Sequence, residues 1–204
     1  EAPGETGEPP PPAGGGRRPR QILWLDLGGG LSTSYADAAP APYAEYCAAL
    51  RAAAPELFGG RYRVVTEFGR SLTTKAGWTA SRVEAAKDCG GARTLVVHAG
   101  ANQFLRPSYL PAKWFHRLSA YDGAGAPLGG ALAPRTVAGP LCFSGDYLAK
   151  DRLLPAAAAA GDLLVVHDSA SYSLAMWSAY NSRRAPAVLL YRRRRRRGAG
   201  GGGE

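Results

Sequence analysis

The chain has 204 residues, 46% hydrophobic and 20% charged, a composition ordinary for a soluble globular protein and long enough for one good-sized domain or two small ones. No run approaches the roughly eighteen apolar residues of a membrane-spanning helix, and the Glu-Pro-Gly-rich start lacks the basic-then-apolar order of a secretory signal, so no membrane or export role is expected. The net charge of +9 is mostly terminal: residues 1–20 balance three arginines against three glutamates, residues 192–204 set six arginines against one glutamate, and only +4 remains for residues 21–191.

In chain order, EAPGETGEPPPPAGGGRRPR (1–20) reads as a disordered leader, because it offers almost no apolar side chain to offset ordering entropy. QILWLDLGGGL, from Gln21, is a short apolar run ending in three glycines, the pattern of a buried strand entering a tight loop. PYAEYCAALRAAAPELF has helical periodicity, with Tyr43, Tyr46, Cys47 and Leu50 on one face, and Gly59-Gly60 ends it. RYRVVTEFGRSL is a second strand, completing a parallel strand–helix–strand unit over 21–75. Two parallel strands and one helix cannot cover a sheet, so this unit is expected to be part of a larger TIM-type (β/α) barrel. Over 76–191 the runs GWTASRVEAAKD, ARTLVVHAG, TVAGPLCF, GDLLVVHD and PAVLLY predict a mostly antiparallel β domain, a barrel or sandwich, with AKDRLLPAAAAAGD the exception, its alanines confined to a turn or two by Pro155 and Gly161. The Arg/Gly-rich tail 192–204 is expected to be disordered, with polyanion binding the lesser reading.

Several residues carry possible chemistry. Gly28, Gly29 and Gly30 follow a strand, where backbone amides can approach a phosphate; a plain structural turn is the alternative. Glu67 and Arg70 fall where the second strand is expected to end, suited to a ring-nitrogen proton and an anion respectively, or to a surface ion pair. Cys47, Cys89 and Cys142 lie far apart without a CxxC pair or a histidine at ligand spacing, so neither a zinc site nor a disulfide framework is expected, and reduced thiols are.

Taken in order, LDLGGGL, EFGRSL, HAGANQFLRP, GPLCFSGDYLAKDRLLP and GDLLVVHDSASYSLAMWSAYNSRRAPAVLLY resemble the C-terminal half of the fold-type III, pyridoxal-phosphate-dependent amino-acid decarboxylases, the ornithine/diaminopimelate/arginine group, and within it the diaminopimelate branch. The resemblance covers about residues 21–191 and implies pyridoxal 5'-phosphate as cofactor, an amino-acid substrate and a homodimer with shared active sites. By the same resemblance, Gly28, Gly29 and Gly30 cradle the cofactor phosphate, Glu67 pairs with the pyridine nitrogen, and Tyr172 hydrogen-bonds the phosphate. Arg70 matches the arginine of a Glu-Pro-Gly-Arg motif that contacts phosphate or substrate, with Phe68 in place of the proline. Arg106 matches a substrate-carboxylate arginine, and Tyr109 stands three residues on, where the family places a tyrosine four residues on.

Cys142 falls on the family's proton-donating cysteine, with a buried structural thiol as the alternative. Phe143 replaces an acid that binds the substrate's distal ammonium, which leaves the amino acid open. The family's cofactor-binding lysine and ring-stacking histidine have no counterparts, because Lys75, Lys87, Lys113 and Lys150 stand in other contexts. The expectation is therefore an incomplete chain of a decarboxylase of basic amino acids, inactive alone, from the cytosol or a plastid. The alternative is a non-catalytic homologue that pairs with a true decarboxylase.

Overall fold

A computed structural model describes residues 22–192, so the expected leader and all but the first residue of the expected tail lie outside the described residues. The chain divides into two compact units, the first containing residues 22–30 and 43–68, the second residues 31–42 and 69–192.

In the first unit, strand β1 (Trp24–Asp26) pairs in parallel with β2 (Arg63–Val65), with Trp24 opposite Arg63 and Asp26 opposite Val65. Helix α1 (Tyr43–Ala53) connects them, with Glu45 in its first turn and Arg51 in its last, each placed to complement the helix dipole. Tyr43, Tyr46 and Leu50 form its half-buried stripe, and both tyrosine rings meet Phe68, at 6.0 and 5.1 Å. Cys47, expected on that face, is exposed instead. Pro55 cannot continue the α-helix and opens a 3-10 turn, Pro55–Phe58. Ile22, Leu23, Trp24 and Val64 remain exposed.

The second unit begins its regular structure with a four-residue helix, α2 (Arg70–Thr73). Six strands follow: β3 (Thr79–Cys89), β4 (Ala92–Val97), β5 (Leu118–Tyr121), β6 (Leu132–Ala138), β7 (Tyr147–Pro155) and β8 (Leu163–Val166), with helix α3 (Leu105–Tyr109) after β4. They form one sheet in the order β5-β8-β3-β4-β6-β7, and the two edge strands come into contact. Four of the five pairings are antiparallel, as the turn-rich sequence predicts; β4 and β6 are parallel, making the sheet mixed. The long strand β3 serves two neighbours in turn, pairing through Thr79–Arg82 with β8 and from Val83 onward with β4, in a ladder bulged between Val83 and Ala85. Period-two alternation buries Ser81 and Val83 between exposed Arg82 and Glu84. Val83, Leu95, Val97, Phe104, Val137, Leu154, Leu164 and Val166 form the core. At about 1.5–3 kcal/mol for each fully buried aliphatic or aromatic side chain, this core is the main source of the unit's stability.

Three expectations need correction. PAVLLY (186–191) forms no strand; Leu189 and Leu190 are 88% and 95% exposed, and the segment pairs with no described strand. AKDRLLPAAAAAGD, read as the exception among the β-prone runs, begins as strand, residues 149–155 continuing β7 with Pro155 tolerated because it ends a strand at the sheet edge, while the alanines beyond it form only turns. The second parallel strand stops at Val65, so Glu67 lies in a loop and Arg70 opens α2. Among the described residues no helix is long and apolar enough to cross a membrane.

Candidate functional site

The glycine loop belongs to the first unit. Asp26, the last residue of β1, accepts the N–H of Gly28 on its carboxylate at 2.8 Å, and the Glu67 N–H donates to the Gly28 carbonyl at 2.8 Å. Gly28 and Gly30 have φ of +69° and +100°, which favours glycine, while a Cβ on Gly29 would stand 2.9 Å from the Glu67 carbonyl oxygen. The Gly28 amide is thus already engaged. The N–H groups of Gly29 and Gly30 have no acceptor among the described residues, which leaves two backbone donors and the exposed Glu67 carboxylate on adjoining segments.

In the second unit, Arg70, Arg106 and Tyr172 are brought together by three separate segments. The Arg70 guanidinium lies 4.6 Å from the Trp114 ring and 5.3 Å from the Tyr172 ring. That of Arg106 lies 4.6 and 4.4 Å from the same two rings. Neither arginine has a carboxylate partner among the described residues, and Arg106 Nη1 is buried without an acceptor. Two like charges beside shared aromatic rings, without a counter-charge among the described residues, form a positive cluster chemically suited to an anion. Trp114 has no counterpart in the sequence reading; its neighbourhood, LPAKWFHR, carries no motif.

A buried clamp fixes the segment bearing Tyr172. Asp168, 4% exposed at the end of β8, receives Lys75 and Arg117, each at 3.2 Å. Lys75 also donates to the carbonyls of Ser34 and Asp37, tying the 31–42 loop to the sheet. Ser171 shares a 2.5 Å hydrogen bond with Thr73, and Tyr172 itself has φ of +54°, a strained value for a side-chain-bearing residue.

Cys142 and Tyr109 form a second grouping. Tyr109, on α3 with Arg106, turns instead to Phe143 and stacks on it at 5.1 Å with 19° between planes. Cys142 is exposed in the described chain. Its backbone is held from both sides: the Cys142 N–H donates to Asn181 Oδ1 at 2.8 Å, and the Tyr180 hydroxyl donates to the Cys142 carbonyl at 2.9 Å. Asp146, 4% exposed, organises the loop from within, its Oδ1 accepting the Ala101 N–H at 2.6 Å and its Oδ2 that of Leu141 at 2.7 Å. Burial pushes the Asp146 carboxyl above its usual range, outweighing the downward pull of those two donors. Cβ atoms on Gly100 or Gly139 would strike this carboxylate, so both glycines are there to let it in. The Ser-Gly-Asp turn was visible in the sequence; that its acid faces inward was not.

Of the four lysines within the described residues, Lys75 is committed to the clamp, Lys87, Lys113 and Lys150 are exposed, and none belongs to the arginine–aromatic cluster. Among those residues no group of three or more His, Cys, Asp or Glu side chains is placed to hold a metal ion.

Residues 33–170 match a family model described as pyridoxal-dependent decarboxylase, C-terminal sheet domain. The chain is 38% identical over 170 residues to a diaminopimelate decarboxylase of Pseudomonas aeruginosa, covering 83% of this chain and 38% of that protein. Over 171 residues it is 35% identical to one from Escherichia coli strain K12, covering 78% and 40%. A crystal structure of diaminopimelate decarboxylase superimposes with a TM-score of 0.71 at 34% identity, over 80% of this chain and 41% of that one. The Helicobacter pylori enzyme complexed with L-lysine gives 0.66 at 30% identity, over 79% and 37%. The chain spans about two fifths of the length of these relatives. With its mixed six-stranded sheet and a family match over 33–170, the chain belongs to the pyridoxal-dependent decarboxylases and contains their C-terminal sheet domain.

Proposed function

We propose that this chain is the C-terminal portion of a pyridoxal-phosphate-dependent carboxy-lyase that releases carbon dioxide from a basic amino acid, diaminopimelate being the first candidate, and that it works as a homodimer in the cytosol or a plastid. The observation that carries this reading is the pair of arginines, Arg70 and Arg106, sharing Trp114 and Tyr172 with no carboxylate to neutralise them. We take the first unit, residues 22–30 and 43–68, as the end of a (β/α) barrel and the second as the β domain; the expected boundary at 75 gives way because residues 31–42 and 69–75 pack within the second unit.

The residues present suit a phosphorylated pyridine. Gly29 and Gly30 offer unengaged N–H donors on a backbone that approaches Glu67 too closely for any side chain at position 29. Buried Arg106 Nη1 lacks an acceptor that an anion would supply. When bound, pyridoxal phosphate supplies an electron sink for the pair left by departing carbon dioxide. In the first unit, the Gly28–Gly30 loop would take phosphate oxygens and Glu67 would keep a proton on the pyridine nitrogen; in the second, the Tyr172 hydroxyl would be a phosphate donor. Arg70 neutralises phosphate or substrate carboxylate, and Arg106 orients the substrate carboxylate, with Tyr109 bordering the substrate. Cys142 Sγ delivers the proton that replaces the carboxylate, from a loop whose backbone Asp146, Asn181 and Tyr180 keep in place.

The test is release of carbon dioxide by the complete protein, purified with pyridoxal phosphate, from diaminopimelate, ornithine, arginine and lysine in turn. One of the four should be turned over, with activity lost in Arg106→Ala. Inactivity on all four, or full activity after loss of both Arg70 and Arg106, refutes the reading.

A further inference from the structure

The strand directions separate the two ends of the sheet. β4 and β6 are parallel, and β8 runs with them because both β4 and β8 are antiparallel to β3. Arg106, Cys142 and Tyr172 all follow the C-terminal ends of these three strands. At the opposite end, where β4 and β6 begin and β7 finishes, lie two adjoining hollows of about 370 and 320 Å³ that share Arg93, Arg135 and Ala156 in their walls.

Arg135 is the unusual member. It is only 5% exposed, yet no carboxylate among the described residues pairs with it; its Nη2 donates to the Ala156 carbonyl, and its Nε–H is buried with no acceptor among those residues. A guanidinium cannot shed its charge when taken out of water, so a buried one without a counter-ion needs either an anion or water in the space beside it. The walls add Arg93 and Lys87 against Asp88 and Asp151, so positive groups exceed negative ones by one. Asp88 is already engaged, its carboxylate accepting the Gly91 N–H of the β3–β4 turn at 2.9 Å. Thr136, 7% exposed, also lines the larger hollow.

We propose that these hollows are a binding site for a small oxyanion, a carboxylate or a phosphate, with Arg135 at its floor and Arg93 at its mouth. The single excess positive charge matches one anionic group, and the volume admits a ligand of metabolite size. The site stands independently of the decarboxylase reading, because none of its residues was assigned a role there.

The test follows the backbone amide NMR spectrum of the full chain during titration with sodium acetate and, separately, sodium phosphate, with sodium chloride holding ionic strength constant. Saturable shifts are expected at residues 91–94, 133–136 and 156–159. Affinity should fall by about tenfold in Arg135→Gln and by about threefold in Arg93→Gln, the usual effect of removing one charged hydrogen-bond donor at a buried and an exposed position. Saturation by phosphate alone assigns the site to phosphates; saturation by both extends it to carboxylates. Should Arg135→Gln fail to fold, the exposed Arg93→Gln carries the test. Shifts that chloride reproduces, shifts that never saturate, or wild-type affinity in the variants overturn the proposal.

Discussion

Replacing Asp146 tests whether the loop that presents Cys142 is held by one carboxylate. In Asp146→Ala the amides of Ala101 and Leu141 lose acceptors at 2.6 and 2.7 Å. A buried donor left unsatisfied costs about 1–3 kcal/mol; Ala101, 4% exposed, belongs near the top of that range, and half-buried Leu141, which water can reach, near the bottom. The sum is about 3–4 kcal/mol, from which the relief of burying a charge subtracts a part. Asp146→Asn keeps one acceptor but turns an NH2 toward the other donor, so it should recover little. Urea unfolding of the full chain, followed by tryptophan fluorescence, measures the loss, and amide hydrogen exchange should show protection falling at Ala101 and Leu141. In the complete protein, turnover should drop while the cofactor stays bound, since the Cys142 loop and the Ala101 turn loosen but no residue assigned to the cofactor is removed. A loss below about 1 kcal/mol, with unchanged protection at Ala101, would show that the loop is held by something else.

Three further outcomes are expected. Gly29→Ala, whose Cβ would stand 2.9 Å from the Glu67 carbonyl, should weaken pyridoxal phosphate binding by about tenfold in the complete protein, read by equilibrium dialysis. Tyr172→Phe keeps the ring beside both arginines but removes the hydroxyl, so it should raise the cofactor Kd by several-fold without lowering the melting temperature. His116 and His167 are both held below the ordinary histidine value, chiefly by burial, with Arg152 adding to this for His116 and Arg117 for His167. The unfolded chain therefore takes up protons first as pH falls, and stability present above 6.5 should drain away as pH drops through the lowered folded values; thermal melts from about pH 8 to about pH 5 should show it, less steeply in His116→Gln.

Strand and turn chemistry made most of the fold legible. LLVV, ARTLVV and the alternating TASRVE announce β8, β4 and the first half of β3 by composition and period alone. The edge strand β7 was hidden because Asp151 has positive φ, the ladder to β6 is irregular, and Pro155 reads as a breaker. PAVLLY shows the reverse: its composition is that of a strand, but pairing depends on a neighbour, which residues 186–191 do not find among the described strands. The parallel β4–β6 pairing is a long-range choice that no local pattern encodes. Within the candidate site, motif order pointed to Arg70, Arg106 and Tyr172, which the fold gathers from α2, α3 and the loop after β8. It could not show Trp114 beside both guanidinium groups, nor Tyr109 turning away to Phe143, because both follow from side-chain direction rather than residue type. Asp146 and the Lys75–Asp168–Arg117 clamp were invisible for a similar reason: a carboxylate gives no sign in sequence of whether it faces water or backbone.

The left-handed backbone at Tyr172 has a thermodynamic corollary. Holding a tyrosine at φ +54° costs on the order of 1–2 kcal/mol, a cost met when the Asp168 clamp and the Thr73–Ser171 contact close during folding. Its ring is therefore preorganised, and a ligand that uses its hydroxyl need not order the side chain on arrival. Affinity and folding are coupled at this point. Loosening the clamp, by Lys75→Ala for example, should weaken ligand binding with a larger entropic penalty and also lower the melting temperature, because buried Asp168 loses one of its two cationic partners.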